Sequence, residues 1–268
     1  MHPELESIFD MRGQVALITG GAIHFGFDIA CVLGAAGCHL AITSRDEERA
    51  RRSADELRSR YEVDVLPFAM DVADATQVAD VVRRVHDWKQ RIDILVNNAG
   101  GGSIKGQCHL FERETQAIDR LIAVNLNGTL YCCREVGRIM REQGRGKIIN
   151  IASIAGILGR DRRMYARSGM ASQPVDYAAA KAGVIGMTRD LAALLGPHGV
   201  CVNSISPGGF NRDLPETFVR DYCDRTPLGR MGRDGIDLKG AVLFLASSAS
   251  DYVTGHDLVV DGGFTAWQ

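Results

Sequence analysis

The sequence predicts an α/β fold, a doubly wound, seven-stranded parallel sheet with helices on both faces. Three observations carry that reading. Short apolar runs alternate with stretches of helical periodicity from Val15 onward, and strand–helix alternation implies parallel strands covered on both sides. A glycine-rich turn, Gly20-Gly21, joins the first run to the first helix, the place where such folds seat a phosphate at a helix N-terminus. The 268 residues suffice for one large core, and no Pro/Ser-rich linker or break in composition divides them. Residues 1–268 are therefore expected to form one domain.

In order, Val15-Ala-Leu-Ile-Thr19 reads as a strand closed by the glycine turn, and Phe25 to Gly34 continues at helical spacing. His39 to Thr43 reads as strand, the charge-patterned Asp46 to Arg60 as helix, Val63 to Ala69 as strand and Thr76 to Lys89 as helix. Ile92 to Val96 is the fourth strand, Gln116 to Arg141 contains a long helix, and Lys147 to Ile151 is the fifth strand. An alanine-rich helix runs through Tyr177 to about Leu195. Val200 to Ile205 and Leu258 to Val260 are the last two strands, with a helical segment at Ile236 to Ala246 between them.

A net charge of −2 leaves no basic stripe for nucleic acid and no polybasic membrane anchor. No segment approaches the ~20 apolar residues of a membrane span. Met1 to Arg12 carries Glu4, Glu6 and Asp10 without an apolar core, so it is not a secretory signal. A cytoplasmic protein with a small-molecule partner is expected. The seven cysteines (31, 38, 108, 132, 133, 201 and 223) show no Cys-x-x-Cys and no metal spacing. They read as small buried hydrophobes, with no metal site.

The chemistry centres on Tyr177-Ala-Ala-Ala-Lys181. Four residues apart on a helix, the phenol and the ammonium share one face. A cation beside a phenol favours phenolate and is expected to lower the Tyr177 pKa from about 10, making it a proton donor and acceptor near neutrality. Such pairs also occur on helices by chance. The other end of the second strand reads Ser44-Arg45-Asp46. In a dinucleotide fold an acid there binds the ribose 2′-hydroxyl and an Arg accommodates a 2′-phosphate. Ser44 with Arg45 predicts NADP(H). NAD(H) stays open through Asp46, as does an Arg45 that merely begins a solvated helix.

With Thr19-Gly20-Gly21-Ala22-Ile23-His24-Phe25-Gly26, Asn97-Asn98-Ala99-Gly100, Ser153, Tyr177-x-x-x-Lys181 and Pro207-Gly208, the chain resembles the short-chain dehydrogenase/reductase (SDR) family from Thr19 to Gly263. The resemblance implies a Rossmann domain and a homotetramer, or a homodimer. It implies that the backbone of Ile23, His24 and Phe25 faces the cofactor pyrophosphate, although His24 stands where the family has glycine. His24 could cap a phosphate or be satisfied locally. Asp71 and Val72 would hold the adenine, although an Asp after a strand is by itself usually a helix cap. Asn98, Ala99 and Gly100 would line the ribose, and Pro207, Gly208 and Phe210 would cover the nicotinamide, without the Thr that often follows. Ser153 would hold the substrate oxygen, Tyr177 would pass the proton, Lys181 would grip the ribose, and Asn125 would support the relay. Asn127 suits the motif less well. An inactive cofactor-binding regulator would show erosion of these four residues, and all four stand.

More residues separate Ser153 from Tyr177 than is usual in the family. The excess, 159–174, brings Arg160, Arg162, Arg163 and Arg167 against Asp161, together with Tyr165. It either recognises a carboxylate or phosphate through Arg160, Arg163 and Tyr165 or is a solvated loop. Tyr165 is not the catalytic tyrosine, because Gly169 stands where a lysine is required. Residues 209–226, beginning at Gly209, are expected to form a substrate lid. The insertion and the C-terminal segment resemble the family's sugar and sugar-acid dehydrogenases, such as gluconate 5-dehydrogenase. An acidic or polyhydroxylated ketone is the first expectation and a 3-oxoacyl thioester the second.

Overall fold

Each strand of the central sheet is an apolar run because both of its faces are covered. All five residues of β1 (Val15–Thr19) are buried, and Leu17 and Ile18 are fully so. Each such side chain contributes ~1.5–3 kcal/mol relative to exposure. The computed structural model describes residues 2–102 and 109–267, so the Cys108 expectation lies outside the described residues. Strands β1, β2 (His39–Ser44), β3 (Val65–Ala69), β4 (Ile94–Asn97), β5 (Gly146–Ile151), β6 (Val200–Pro207) and β9 (Asp257–Val260) form one parallel sheet in the order β3-β2-β1-β4-β5-β6-β9. The order reverses between β1 and β4, which opens a crevice at their carboxyl ends.

Helices α2 (His24–Ala35), α3 (Glu47–Arg60) and α10 (Lys239–Ala246) pack on one face, where Ile29, Leu57 and Val242 meet the strands. Helices α4 (Ala75–Lys89), α6 (Gly128–Gln143) and α8 (Val175–Leu195) cover the other through Val78, Val136 and Leu195. Caps decide where several of them start. Asp46 accepts from the Arg49 amide at the head of α3, and Asp74 from Thr76 and Gln77 at the head of α4.

The seven expected strands are all present, with β3 and β4 each starting two residues later than the apolar runs suggest. The helix expected within Gln116–Arg141 is interrupted. It forms α5 (Thr115–Ile122) and α6, joined by a π-helical turn, Ala123–Asn127. Several small elements lack a periodic signal: α1 (Pro3–Phe9), α7 (Arg162–Arg167) inside the insertion, and the pair β7 (Phe210–Asn211) and β8 (Gly232–Arg233). Within 209–226 lies α9 (Glu216–Cys223). Among the described residues no helix is long and apolar enough to cross a membrane.

Candidate active site

The nucleotide side begins with backbone geometry. Gly20 has φ +64°, and a Cβ at Gly26 would collide with the Gly20 carbonyl, so the turn closes only over glycine. His24 opens α2 at φ +50°, a left-handed conformation that costs a non-glycine residue ~1 kcal/mol or more. Its side chain is exposed and has no hydrogen-bond partner among the described residues, so it is not the locally satisfied histidine. The Thr19 hydroxyl accepts from the Asn98 and Ala99 amides, both at 3.0 Å, while Asn98 Nδ2 donates to the Thr19 and Gly20 carbonyls at 3.0 and 3.1 Å. The Asn98–Gly100 segment is thereby locked to the glycine turn.

At the end of β2, the Ser44 hydroxyl accepts from the Asp46 amide at 3.1 Å, and the Asp46 carboxylate is occupied in capping α3. Arg45 is exposed, with no hydrogen bond or ion pair to another described residue. Asp71 accepts from the Ala73 amide at 3.0 Å and pairs with Arg120 at 2.6 Å. Burial pushes its carboxyl up, but Arg120, the Ala73 amide and the charge of Arg45 together hold it below the ordinary value. Val72 is buried and fills the space over Gly128, where a Cβ would meet it at 2.8 Å. The glycine cradle fits the pyrophosphate of a dinucleotide.

On the chemical side, α8 buries Tyr177 and Lys181 on one face. Lys181 Nζ donates to the Ile151 carbonyl at 2.7 Å and stands 5.7 Å from the Tyr177 ring centre. Asn125 sits in the π-helical turn, which turns its side chain toward the Gly100–Gly101 backbone. Its Oδ1 accepts from the Gly101 amide at 3.0 Å, and its Nδ2 donates to the Gly101 and Leu121 carbonyls. A Cβ at Gly100 would lie 2.5 Å from Asn125 Oδ1 and 3.6 Å from Lys181 Nζ, so these groups crowd one point. Ser153 follows β5, accepts from the Ala155 amide at 3.1 Å, and lies close enough to the Tyr177 phenol for its hydroxyl to favour the phenolate.

The expected acidification of Tyr177 by Lys181 does not hold in this structure. Burial raises the phenol pKa above its ordinary value; the nearby Ser153 hydroxyl and the charge of Arg160 oppose that rise without reversing it. Burial also draws Lys181 down to about 8. Desolvation disfavours both charged forms at once, which weakens the cation as well as the phenolate.

The insertion divides its arginines. Arg163 is exposed and pairs with Asp161 at 2.8 Å, and Arg167 pairs with Asp221 of α9 at 2.7 Å. Arg162 donates to the Ser172 hydroxyl. Asp161 also pairs with Arg225 at 2.6 Å, beyond α9. Arg160 alone of the four stands over the Tyr177 ring, 5.5 Å from its centre. The Tyr165 ring packs on Phe218 of α9 at 5.0 Å. Gly209 is not open to a ligand through its amide, which donates to the Tyr222 hydroxyl at 2.6 Å. Gly208 packs on Asp261, and Phe210 meets Phe25 edge-on at 4.7 Å, tying the turn after Pro207 to the nucleotide turn.

Some contacts around the site have no signal in the sequence. Arg113 and Asp176 form a buried ion pair at 2.8 Å, which anchors the first turn of α8 one residue before Tyr177. Gln173 holds Arg160, and Arg212 lies 4.2 Å over the Phe25 ring while paired with Asp234. Only Asp176 was findable, as an acid in the helix's first turn beside the phenol.

A family model described as Enoyl-(Acyl carrier protein) reductase matches residues 21–265. The chain belongs to the short-chain dehydrogenase/reductase family. It is 35% identical over 273 residues to the gluconate 5-dehydrogenase of Gluconobacter oxydans, covering 98% of each chain. It is 33% identical over 258 residues to the 3-oxoacyl-[acyl-carrier-protein] reductase FabG of Aquifex aeolicus, covering 94% of this chain and 98% of that one. A crystal structure of a gluconate 5-dehydrogenase from Burkholderia cenocepacia in complex with NADP and tartrate superposes with a TM-score of 0.86 at 35% identity, covering 98% of this chain and 100% of that one. This SDR chain is an oxidoreductase acting on a CH–OH/C=O couple with a nicotinamide cofactor.

Proposed function

We propose that the protein is an NADP(H)-dependent ketone reductase and alcohol dehydrogenase acting on a polar substrate that is acidic or polyhydroxylated. The observation that carries the reading is the meeting of Ser153, Tyr177, Lys181 and Asn125 beside Gly100 at the carboxyl edge of the sheet. When bound, the nicotinamide supplies or accepts the hydride. Tyr177 gives its proton to the carbonyl oxygen during reduction and takes it back during oxidation, while Ser153 holds that oxygen. Lys181, fixed by the Ile151 carbonyl, is placed to hold the ribose and to replenish the proton; its pKa near 8 suits that exchange. Asn125 keeps the Gly100–Gly101 backbone against Lys181. Arg45 is assigned to the 2′-phosphate because Asp46 is occupied by its cap. Residues 159–174 and 209–226 form the substrate side of a single 1–268 domain, in a homotetramer or homodimer.

The relatives support a sugar-acid or sugar ketone, and the tartrate of the Burkholderia complex is itself a hydroxy acid. The second reading, a 3-oxoacyl thioester reductase, is favoured by the Aquifex relative. Reduction of 5-ketogluconate against acetoacetyl thioester, followed by NADPH absorbance, separates the two. Tyr177→Phe is expected to lower kcat by about 10²–10⁴ while leaving NADPH binding intact. A variant that keeps most of its kcat removes Tyr177 from the proton step, and equal kcat/KM for NADPH and NADH removes the role of Arg45.

A further inference from the structure

We infer that Arg160, oriented by Gln173, selects substrates that carry a carboxylate, pairing with that group while Tyr177 serves the carbonyl. The inference rests on the ketone-reductase reading and deepens it. Three of the four arginines in the insertion are engaged by Asp161, Asp221 or the Ser172 hydroxyl. Arg160 differs. It is half-buried, and no acid pairs with it among the described residues. Its donors reach only neutral acceptors, with Nη2 at 2.7 Å from Gln173 Oε1 and Nη1 at 3.4 Å from the Gln173 carbonyl.

A half-buried guanidinium that meets two amide oxygens and an aromatic ring, but no acid, lacks the countercharge that such groups ordinarily have. Burial accordingly draws its pKa below the ordinary arginine value. The guanidinium carries five N–H donors in a planar fork. Gln173 accepts one hydrogen bond from each of Nη1 and Nη2, and the remaining donors suit a carboxylate.

The location makes such an anion part of a substrate. Arg160 stands 5.5 Å from the Tyr177 ring centre. Gln173 and Tyr177 also share a wall at Gly102, where a Cβ would lie 3.1 Å from Gln173 Cδ and 3.1 Å from Tyr177 Cδ2. Gly102 thus packs directly on both side chains and holds them next to each other. With the guanidinium and the phenol adjacent, a keto acid can place its carboxylate on Arg160 and its carbonyl on Tyr177. A neutral ketose leaves the guanidinium uncompensated, and that difference is the selectivity.

The experiment compares wild type, Arg160→Gln and Arg160→Lys, each with NADPH, on 5-ketogluconate and on the neutral ketose sorbose. The acid-to-neutral ratio of kcat/KM is expected to fall about 10- to 100-fold in Arg160→Gln, chiefly through KM for the keto acid. Arg160→Lys, which keeps the charge and loses the fork, recovers part of it. A ratio within about threefold of wild type overturns the assignment. Calorimetric titration of D-gluconate into the NADP+-loaded proteins separates this inference from the reading beneath it. Gluconate bound by wild type and lost in Arg160→Gln upholds the anchor even if neither ketone is reduced, an outcome that sinks the reductase reading instead. Gluconate bound equally by both proteins, or by neither, overturns the anchor.

Discussion

The turn between β1 and α2 and the pair α7–α9 flank the same cleft, yet backbone geometry shapes the first and side-chain pairing the second. In the turn, Gly20, Gly26 and the Thr19–Asn98 hydrogen bonds set the path within a few residues of the strand ends. Beside Tyr177, α7 and α9 are joined by Arg167–Asp221, Asp161–Arg225 and the packing of Met164, Phe218 and Tyr222. The two ion pairs bring together side chains from separate stretches of the chain. The glycine turn is therefore intolerant of an added atom at Gly26. The α7–α9 side depends instead on particular charges.

Breaking the turn should have the largest effect. Gly26→Ala places a Cβ against the Gly20 carbonyl and is expected to destabilise by about 1–3 kcal/mol. NADPH affinity should fall with it, as thermal melts and fluorescence titration would show. If both stay at wild-type values, rigid backbone closure is not what shapes that region. Breaking the other side should leave the turn untouched. Asp161→Ala removes the pairs to Arg163 and Arg225, and limited proteolysis within 159–174 should accelerate while KM for the ketone rises severalfold. NADPH affinity should hold and the melting temperature should move by only about 2 °C. Loss of NADPH binding in this variant would erase the distinction between the two regions. The smallest effect sharpens it. His24→Gly relieves the left-handed strain at φ +50° and is expected to stabilise by at most about 1 kcal/mol in urea melts, because glycine also gives the unfolded chain more freedom. Destabilisation would show that the imidazole makes a contact worth more than the strain.

The same contrast decides what could be read without coordinates. The glycine turn, Asn97–Gly100, Ser153 and Tyr177-x-x-x-Lys181 lie at strand ends or on one helix face, so local spacing already places them. Asn125 was visible as a polar residue in mid-helix, though not the π-helical turn that aims it at Gly101. The insertion gave only composition: four arginines that look alike in sequence part company once Asp161, Asp221 and Ser172 arrive from elsewhere. The phenol's pKa was misjudged for a related reason. Four residues of spacing report the lysine beside Tyr177 but not the burial that raises the phenol and lowers the lysine.

By itself the chain determined the strand order's raw material, the glycine turn and the residues proposed for proton transfer, because hydrophobic period, glycine geometry and helix spacing act over short stretches. Which arginine remains without an acid, how far Tyr177 is desolvated, and how the insertion is tied to the segment after β6 were decided only by tertiary structure. Charge balance and burial are sums over everything that surrounds a side chain, and that surrounding exists only after the chain has folded.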